Sequence, residues 1–409
     1  MKAVGIIAEY NPFHNGHAYQ IRQAKEMSGA DYCIIVMSGD FVQRGAPAIV
    51  DKYERAQMAL SDGADLVIEL PALWATASAE AFAHAGVAAL EKTGCVDTLC
   101  FGVECLDLQL LDETVSILID EPESYRTALS GQLREGDNFP VARAKAVTAY
   151  TGKETADSLL RTPNNILAVE YRKALRMRNS NLNPLPILRS QDNYHETALT
   201  GSCPSATAIR KILENPKNVD ELKHAVPPYS YQRLLQLFES QQLLRPNDFS
   251  GLLAYVILKN DPAALSSYGD CGTQLAHRIK NCFAQYQDYE QFCAICKSRD
   301  VTYTRLARVF THMLLDITQS DYEHGKKIDY IPYLRILGFR REAAALMKEL
   351  KKKASVPLIT KLSNASSDLS EDAGSLLNQD IFAAELYERT LSMKTHQKYR
   401  SEYTRRIIR

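Results

Sequence analysis

The chain has 409 residues, of which 45% are hydrophobic, and this length can build two or three domains with cores of their own. A formal net charge of −1, with 24% charged residues, excludes nucleic-acid binding through bulk charge, so any such surface must be a local patch. No apolar run approaches the length of a membrane span, and the nine cysteines lack the spacing of a secreted disulfide framework. We therefore expect a cytoplasmic protein without membrane attachment.

The first half of the chain alternates apolar strands with helices. Short apolar runs typical of buried strands occupy residues 2–8, 31–37, 64–70 and 96–101, and residues 185–188 are a candidate for one more strand. Helical periodicity fills residues 17–27, 52–60, 78–92, 143–160, 166–177 and 204–213. This alternation predicts an α/β fold with a parallel sheet covered on both faces. Ligands bind beyond the carboxyl ends of such strands, so the loops that follow them form the candidate site.

The second half differs from the first. After about residue 215 helical periodicity dominates and little strand signal remains, and Pro216, Pro227 and Pro228 punctuate the change. We therefore place a catalytic domain at residues 1–215 and an all-helical C-terminal domain at residues 216–409.

The segment His14-Asn15-Gly16-His17 lies between the first predicted strand and the first predicted helix. A helix N-terminus offers unpaired N–H groups and a positive dipole end to a phosphate, and glycine lets the backbone approach a bulky anion closely. Two imidazoles three residues apart can donate hydrogen bonds that stabilise the charge developing when an α-phosphate is attacked. Two unrelated histidines in a polar loop are the alternative, and the strand–proline–helix context favours the phosphate site.

This segment resembles the signature of the HxGH nucleotidyltransferase superfamily, whose members have a Rossmann-like sheet and transfer or activate through the AMP moiety of ATP. The matching positions are Asn11, Pro12, His14, Gly16 and His17. A second element, the run Ser205-Ala206-Thr207-Ala208-Ile209-Arg210, is similar to the superfamily box in which small hydroxyls at a helix N-terminus hold the distal phosphates. Because Ala206 replaces the usual second hydroxyl, the resemblance implies this role for Ser205 and Thr207, and it extends to Arg210. A simple helix N-cap is the alternative for Ser205.

Further segments, at residues 5–17, 37–45, 65–71 and 163–167, occur in order before the Ser205 box. Together they resemble the bacterial tRNA(Met) cytidine acetate ligase family over nearly the whole chain. The resemblance implies that ATP and acetate form acetyl-AMP, and that the acetyl group then passes to the wobble cytidine of elongator tRNA(Met), giving N4-acetylcytidine. Such a ligase needs phosphate positioning and charge stabilisation more than a protein nucleophile. Mg²⁺ would help to offset the triphosphate charge.

The resemblance implies catalytic roles for His14 and His17 within a wider ATP site. The residues of that site are Ile7, Ala8, Glu9, Tyr10, Asn11, Pro12, Phe13, His14, Asn15, Gly16, His17, Ala18, Tyr19, Gln20, Gly102, Asn164, Asn165, Arg189, Ser205 and Thr207.

The more distant members of this set have specific expected roles. Gly102, placed after the fourth strand, lets the backbone pass close to the base or ribose. Asn164 and Asn165 precede a helix and can bond ribose or base edges, and helix capping is the alternative. Arg189 follows the candidate strand at residues 185–188 and can meet a phosphate, with a surface ion pair as the alternative. The loop after the second strand carries Asp40, Gln43, Arg44 and Lys52, and one of its two basic groups, Arg44 or Lys52, can meet acetate or pyrophosphate.

Basic residues concentrate in the C-terminal half, where we expect tRNA to bind. Arg305 and Arg308 are three residues apart and share one face of a predicted helix. The C-terminal tail adds Lys398, Arg405 and Arg406. Solvated charged faces are the alternative for each group, and their clustering in one half of the chain favours an RNA surface.

Two other functions remain open at this point. One is an adenylyltransferase acting on a small phosphorylated metabolite, which the large helical second half disfavours because a small substrate needs no such surface. The other is a non-catalytic ATP-dependent RNA-binding protein. The intact His14 and His17 disfavour it, because a sensor has no need to stabilise a leaving group.

Overall fold

The computed structural model describes residues 1–189, 205–365 and 369–409. Its first elements alternate between strands and helices, as the apolar patterning predicts. In chain order they are β1 (Ala3–Ala8), α1 (Asn15–Ser28), β2 (Tyr32–Ser38), β3 (Phe41–Val42), β4 (Ala46–Pro47), α2 (Lys52–Ser61), β5 (Leu66–Leu70), α3 (Ala72–Ala75), α4 (Ala79–Lys92) and β6 (Thr98–Val103).

A helical segment then leads to one more strand, and helices dominate the rest of the chain. The middle elements are α5 (Leu108–Asp120), α6 (Glu123–Arg134), α7 (Phe139–Thr151), α8 (Thr155–Leu159), α9 (Pro163–Met177), β7 (Asn183–Leu188) and α10 (Ala206–Ile212). The C-terminal elements are α11 (Leu222–Ala225), α12 (Pro228–Glu239), α13 (Ser250–Lys259), α14 (Pro262–Leu265), α15 (Gly272–Cys282), α16 (Tyr289–Cys296), α17 (Tyr303–Leu315), α18 (Gln319–Lys327), β8 (Leu334–Phe339), α19 (Ala344–Lys353), β9 (Leu358–Ile359) and α20 (Glu371–Thr395).

The main sheet has seven strands in the order β7-β6-β1-β2-β5-β8-β9. The five strands from β7 to β5 run parallel, which confirms the predicted Rossmann-like α/β fold. The candidate strand at residues 185–188 is β7, which lies at one edge of the sheet. The edge position suits Pro184 and Pro186, because a proline has no N–H to donate to a second neighbour. Because these strands are parallel, the carboxyl ends of β1, β2, β6 and β7 lie side by side along one border of the sheet, which we call the carboxyl end of the sheet.

The C-terminal half is mainly helical, as predicted, but it is not all helical, because it contributes two strands. β8 pairs antiparallel with β5, and the two-residue β9 pairs parallel with β8, so the C-terminal half completes the sheet. The charged Arg335 interrupts the apolar run of β8 and conceals it from pattern analysis, yet this side chain is buried in the structure. The domain division at residues 215 and 216 stays a prediction, and the sheet is shared across it.

The sheet is buried on both faces. One face packs against the alanine-rich α4, which approaches β1 closely because glycines stand at the contacts. A Cβ atom at Gly5 would lie 2.6 Å from Leu90, and one at Gly86 would lie 2.7 Å from Ile7. The other face packs against α1 and α2 through small and apolar side chains such as Ala24. The two helix layers hold the strand ends, and the loops that follow them, in fixed positions.

The cysteines of the described residues carry free thiols. Cys293 and Cys296 both lie on α16 and are buried in the core, and burial raises the pKa of both thiols. Within residues 1–189, 205–365 and 369–409, every helix is too short or too polar to span a bilayer.

Candidate functional site

The loop between β1 and α1 is fixed by buried side chains. Tyr10 has a left-handed backbone with a φ of 49°, and the peptide bond between Asn11 and Pro12 is cis. The rings of Tyr10 and Phe13 are buried and meet edge to face at 4.9 Å. The Asn11 side chain accepts a hydrogen bond of 2.8 Å from the backbone N–H of Ile49, which ties the loop to the segment before α2. The backbone that leads into α1 is thus fixed by its own buried side chains.

His14 and His17 cap the start of α1 reciprocally. Nδ1 of His14 accepts the N–H of Gly16 at 3.1 Å, and Nδ1 of His17 accepts the N–H of His14 at 3.3 Å. The two rings stack with centroids 3.6 Å apart. Because both Nδ1 atoms act as acceptors, these bonds assign the proton of each neutral ring to Nε2. Each histidine therefore carries an Nε2–H donor.

Both imidazoles are neutral at physiological pH. Burial lowers the pKa of His14 to about 3, and the nearby Arg189 and Arg210 guanidiniums add to this effect. Burial also lowers the pKa of His17 well below its usual range, with further contributions from His14 and Arg189. The pair is thus set as two hydrogen-bond donors without charge. Gly16 is required beside them, since a Cβ atom there would lie 2.9 Å from Cε1 of His14.

Arg189 connects the ends of β6 and β7 to the first turn of α1. Its backbone N–H donates to Val103 O at 2.8 Å, and its Nη1 lies 3.4 Å from Oδ1 of Asn164. A Cβ atom at Gly102 would lie 3.0 Å from Cδ of Arg189, and one at Gly16 would lie 4.0 Å from Nη2. Gly102 was expected after the fourth strand, but it lies within β6, where it makes room for this guanidinium.

The two asparagines at the start of α9 are arranged by Glu104, a residue that no sequence motif singles out. The Glu104 carboxylate accepts the N–H of Asn164 at 3.2 Å and that of Asn165 at 2.9 Å, and it also accepts the side-chain amide of Asn164. In return Oδ1 of Asn165 accepts the N–H of Glu104 at 2.9 Å. Asn165 is buried in this exchange, whereas Asn164 lies beside Arg189. The acid therefore caps the helix, and neither asparagine acts as the N-cap residue.

The Ser205 box lies directly against the loop after β1. Ser205 is the N-cap of α10, and its hydroxyl accepts the N–H of Ala208 at 3.2 Å. Arg210 donates from Nη1 to the carbonyl of Asn11 at 2.7 Å and from Nη2 to the Thr207 hydroxyl at 3.1 Å. Two motifs that are far apart in the chain thus meet at one site. Residue 204, the start of the predicted helix, lies outside the described residues.

The remaining members of the predicted ATP set lie at the carboxyl end of the sheet as well. Ile7 and Ala8 end β1, and Glu9 accepts the N–H of Gln43 at 2.9 Å. The residues from Asn15 to Gln20 form the first turns of α1. Asn15 also reaches the C-terminal half, since its amide donates to the carbonyl of His224 at 2.9 Å.

Lys52 does not face the site. It is buried in a ring of alternating charge, the ionic ring, which consists of Lys52, Glu69, Arg335 and Glu402. Lys52 Nζ lies 2.7 Å from Glu69 and 2.7 Å from Glu402. Arg335 lies 3.3 Å from Glu69 and 2.5 Å from Glu402. Lys52 is therefore not the basic group that meets acetate or pyrophosphate, because two carboxylates already take up its charge, and the expectation stays a prediction for Arg44. The ring also joins the C-terminal tail to the ends of β5 and β8.

Three of the five predicted tRNA contacts have partners within the chain. Arg305 donates to the carbonyl of Asp270 at 3.2 Å and 3.0 Å, and Arg308 pairs with the carboxylate of Asp270 at 2.8 Å. Arg405 lies 2.9 Å from Asp51, the N-cap residue of α2, and 3.2 Å from Glu388. The other two, Lys398 and Arg406, are exposed. All five stay predictions as RNA contacts.

In the part of the chain that the structure describes, no three His, Cys, Asp or Glu side chains are grouped so that they could hold a metal ion. The polar groups that converge at the strand ends are imidazoles, guanidiniums, hydroxyls and helix N-termini. These are donors that suit a polyphosphate.

Comparison with known proteins identifies the family. The model of the HIGH nucleotidyl transferase family matches residues 1–402. The tRNA(Met) cytidine acetate ligase of Acetivibrio thermocellus is 38% identical over 413 residues and covers 100% of both chains. That of Alkaliphilus metalliredigens is 39% identical over 398 residues, with 95% of this chain and 94% of the relative covered. The crystal structure of Thermotoga maritima TmcAL bound with alpha-thio ATP has a TM-score of 0.91 at 29% identity, and 100% of this chain and 99% of that chain are covered. The chain therefore belongs to the tRNA(Met) cytidine acetate ligase family of HIGH nucleotidyl transferases.

Proposed function

We propose that this chain is an ATP-dependent ligase that activates acetate and acetylates the wobble cytidine of elongator tRNA(Met). In the first step an acetate oxygen attacks the α-phosphorus of ATP, and pyrophosphate leaves, which gives acetyl-AMP. In the second step the N4 amine of the cytidine attacks the acetyl carbonyl carbon, AMP leaves, and the amine loses a proton. The names of the full-length relatives support these substrates.

One observation carries the proposal, namely the pair of neutral imidazole donors at the start of α1. Their Nε2–H groups, together with the N-terminus of α1, can bond phosphate oxygens whose negative charge grows as pyrophosphate leaves. Neutral donors suit this task, because they stabilise the departing charge without a competing proton transfer. The Arg189 and Arg210 guanidiniums beside them supply the positive charge that the histidines lack.

The chemistry asks little else of the protein. Acetate alone does not react with an amine, because oxide is a poor leaving group, whereas AMP is a good one. Catalysis then consists of holding acetate in line with the α-phosphorus and presenting the cytidine to the product. We propose that Mg²⁺ would accompany the triphosphate and offset part of its negative charge. Removal of the ion with a chelator should then lower the rate of adenylation.

We propose that tRNA is bound through basic residues of the C-terminal half. Lys398 and Arg406 are the strongest of the predicted contacts because both side chains are exposed. Arg305, Arg308 and Arg405 are engaged within the chain, so a phosphate would have to compete with their present partners.

The test is incubation of the protein with ATP, labelled acetate and total bacterial tRNA, followed by mass analysis of the nucleosides. Label in N4-acetylcytidine that depends on ATP is the expected result. Pyrophosphate release without label in RNA would contradict the RNA substrate and would direct the search to a small phosphorylated acceptor. RNA binding without any ATP-dependent pyrophosphate release would contradict catalysis itself.

A further inference from the structure

Arg55 is fully buried beneath the candidate site. It lies on α2 and has no exposed surface, and among the arginines of the described residues only Arg335 is comparably buried. Arg335 pairs with two carboxylates of the ionic ring. For Arg55, by contrast, no carboxylate of the described residues lies within ion-pair distance. Its guanidinium donates to carbonyl oxygens, and the carboxylates of Asp40, Asp51 and Glu9 act on it only from farther away.

These carbonyls belong to three separate segments. Nη1 of Arg55 donates to Glu9 O at 2.6 Å and to Ser38 O at 3.0 Å, and Nη2 donates to Gly39 O. Nε donates to Val50 O at 3.0 Å. Glu9 begins the loop that leads to His14 and to the first turn of α1. Ser38 ends β2, Gly39 follows it, and Val50 precedes α2. One planar group therefore joins the ends of two adjacent strands to the helix that covers them.

Burying this guanidinium is costly, because carbonyl dipoles compensate a full charge only in part. Burial lowers the pKa of Arg55, yet an arginine side chain stays protonated in proteins. Stability alone does not account for such a group, since a buried ion can often be replaced by apolar residues without loss. A fixed fork of five N–H donors, however, sets the relative positions of several carbonyls in a way that an apolar side chain cannot.

We propose that Arg55 is a positioning residue for adenylation, which locks the loop after β1 against the end of β2 before ATP binds. This inference rests on the proposed function. The Nε2–H donors of His14 and His17 must meet the phosphates to within a fraction of an ångström, and Glu9 O is the point at which Arg55 holds the loop that leads to them. The residue does not touch substrate, because no part of its side chain is exposed.

The experiment compares Arg55→Lys with Arg335→Lys, a matched change at the other buried arginine. Acetate-dependent exchange of pyrophosphate into ATP gives kcat and KM for ATP without tRNA, and thermal unfolding gives the folded fraction. For Arg55→Lys we expect kcat per folded molecule to fall about 100-fold with little change in KM, because a lysine cannot hold all three segments. Arg335→Lys should lose stability but keep kcat. An Arg55→Met variant, which keeps the volume without the donors, should be at least as slow as Arg55→Lys.

The outcomes distinguish failure of the positioning role of Arg55 from failure of the proposed function. An Arg55→Lys enzyme with wild-type kcat per folded molecule would overturn the positioning role, and so would an equal loss in Arg335→Lys. A wild-type enzyme without acetate-dependent exchange would instead overturn the proposed function. If Arg55→Met does not fold, Arg55→Lys still decides the question, since it keeps the charge and most of the side-chain length.

Discussion

Replacement of Glu402 by glutamine tests how strongly the ionic ring holds the C-terminal tail to the catalytic sheet. The ring contains two cations and two anions, all nearly inaccessible to solvent. Loss of the Glu402 charge leaves Lys52 and Arg335 to share Glu69, with the carboxyl group of Asp40 a further 3.8 Å from Lys52. Removing one partner of a buried ion pair costs about 3–5 kcal/mol, because the remaining charge is left uncompensated.

The pKa of Glu402 supports a cost of the same size. The Lys52 and Arg335 cations outweigh the effect of burial and lower the pKa of this carboxyl from 4.5 to about 2. The difference corresponds to about 3 kcal/mol in favour of the carboxylate. Because the pKa is lower in the folded state, this stability is fully present above pH 4.5 and is lost as the pH falls towards 2.

Urea unfolding followed by fluorescence measures the effect, since Trp74 is the single tryptophan and is buried in the core. At neutral pH Glu402→Gln should lower the free energy of unfolding by about 3 kcal/mol. The difference in free energy of unfolding between the wild type and Glu402→Gln should become smaller below pH 4.5. Glu342→Gln is the control, because Glu342 is exposed and pairs with Arg340 at 3.5 Å. A Glu402→Gln protein as stable as this control at neutral pH would refute the role assigned to the ring.

Three further predictions follow from the site. Gly102→Ala should weaken ATP binding, measured by calorimetry, because the added methyl group would lie 3.0 Å from Cδ of Arg189 and displace its guanidinium. An unchanged affinity would contradict a role of Arg189 in phosphate binding. His14→Asn should flatten the pH dependence of stability in acid. In the wild type the pKa of His14 is about 3 in the folded state, so between pH 6.5 and pH 3 the unfolded chain binds more protons at this residue than the folded chain. The free energy of unfolding should therefore fall by up to about 1.4 kcal/mol per pH unit as the pH is lowered through this range. If the free energy of unfolding depends on pH equally in the wild type and the variant, the prediction is contradicted. Replacement of both Lys398 and Arg406 by glutamine should weaken tRNA binding and make its affinity less dependent on salt concentration. If the affinity in a filter-binding titration falls with salt as steeply as in the wild type, the two residues do not contact tRNA.

The structure also changes how the C-terminal tail should be tested. A deletion before Lys394 removes exposed basic groups, and it also removes Glu402 and Arg405, which pair with Lys52 and Asp51 near the start of α2. Such a deletion would lower stability as well as RNA affinity. Point substitutions at exposed positions are therefore the cleaner experiment.

The parts of the fold and site that could be predicted are those in which the signal is local. The strands of the first half are apolar runs between helices, and His14 to His17 form a contiguous motif at a strand–helix junction. The Ser205 box could be placed with this motif by resemblance to the family. The hydrogen bond from Arg210 to Asn11 is the contact that joins the two segments in the structure.

The parts that could not be predicted depend on partners far away in the chain. Arg335 is a charge within a strand, and only the distant Glu69 and Glu402 explain why it is buried. Arg55 on an amphipathic helix has the appearance of a surface residue, because the carbonyls that it binds belong to other loops. Glu104 likewise gives no sequence signal of its role at the start of α9, 60 residues later in the chain.

The most direct test of the account supplies synthetic acetyl-AMP to a His17→Ala enzyme. The wild type and the variant are each incubated with elongator tRNA(Met) and either ATP plus acetate or acetyl-AMP, and N4-acetylcytidine is measured. If His17 acts in adenylation, the variant should form no acetylcytidine from ATP and acetate but should form it from acetyl-AMP. Loss of product from both sources, with tRNA binding intact, would contradict the division of the reaction into adenylation at the histidine pair and a separate transfer to RNA.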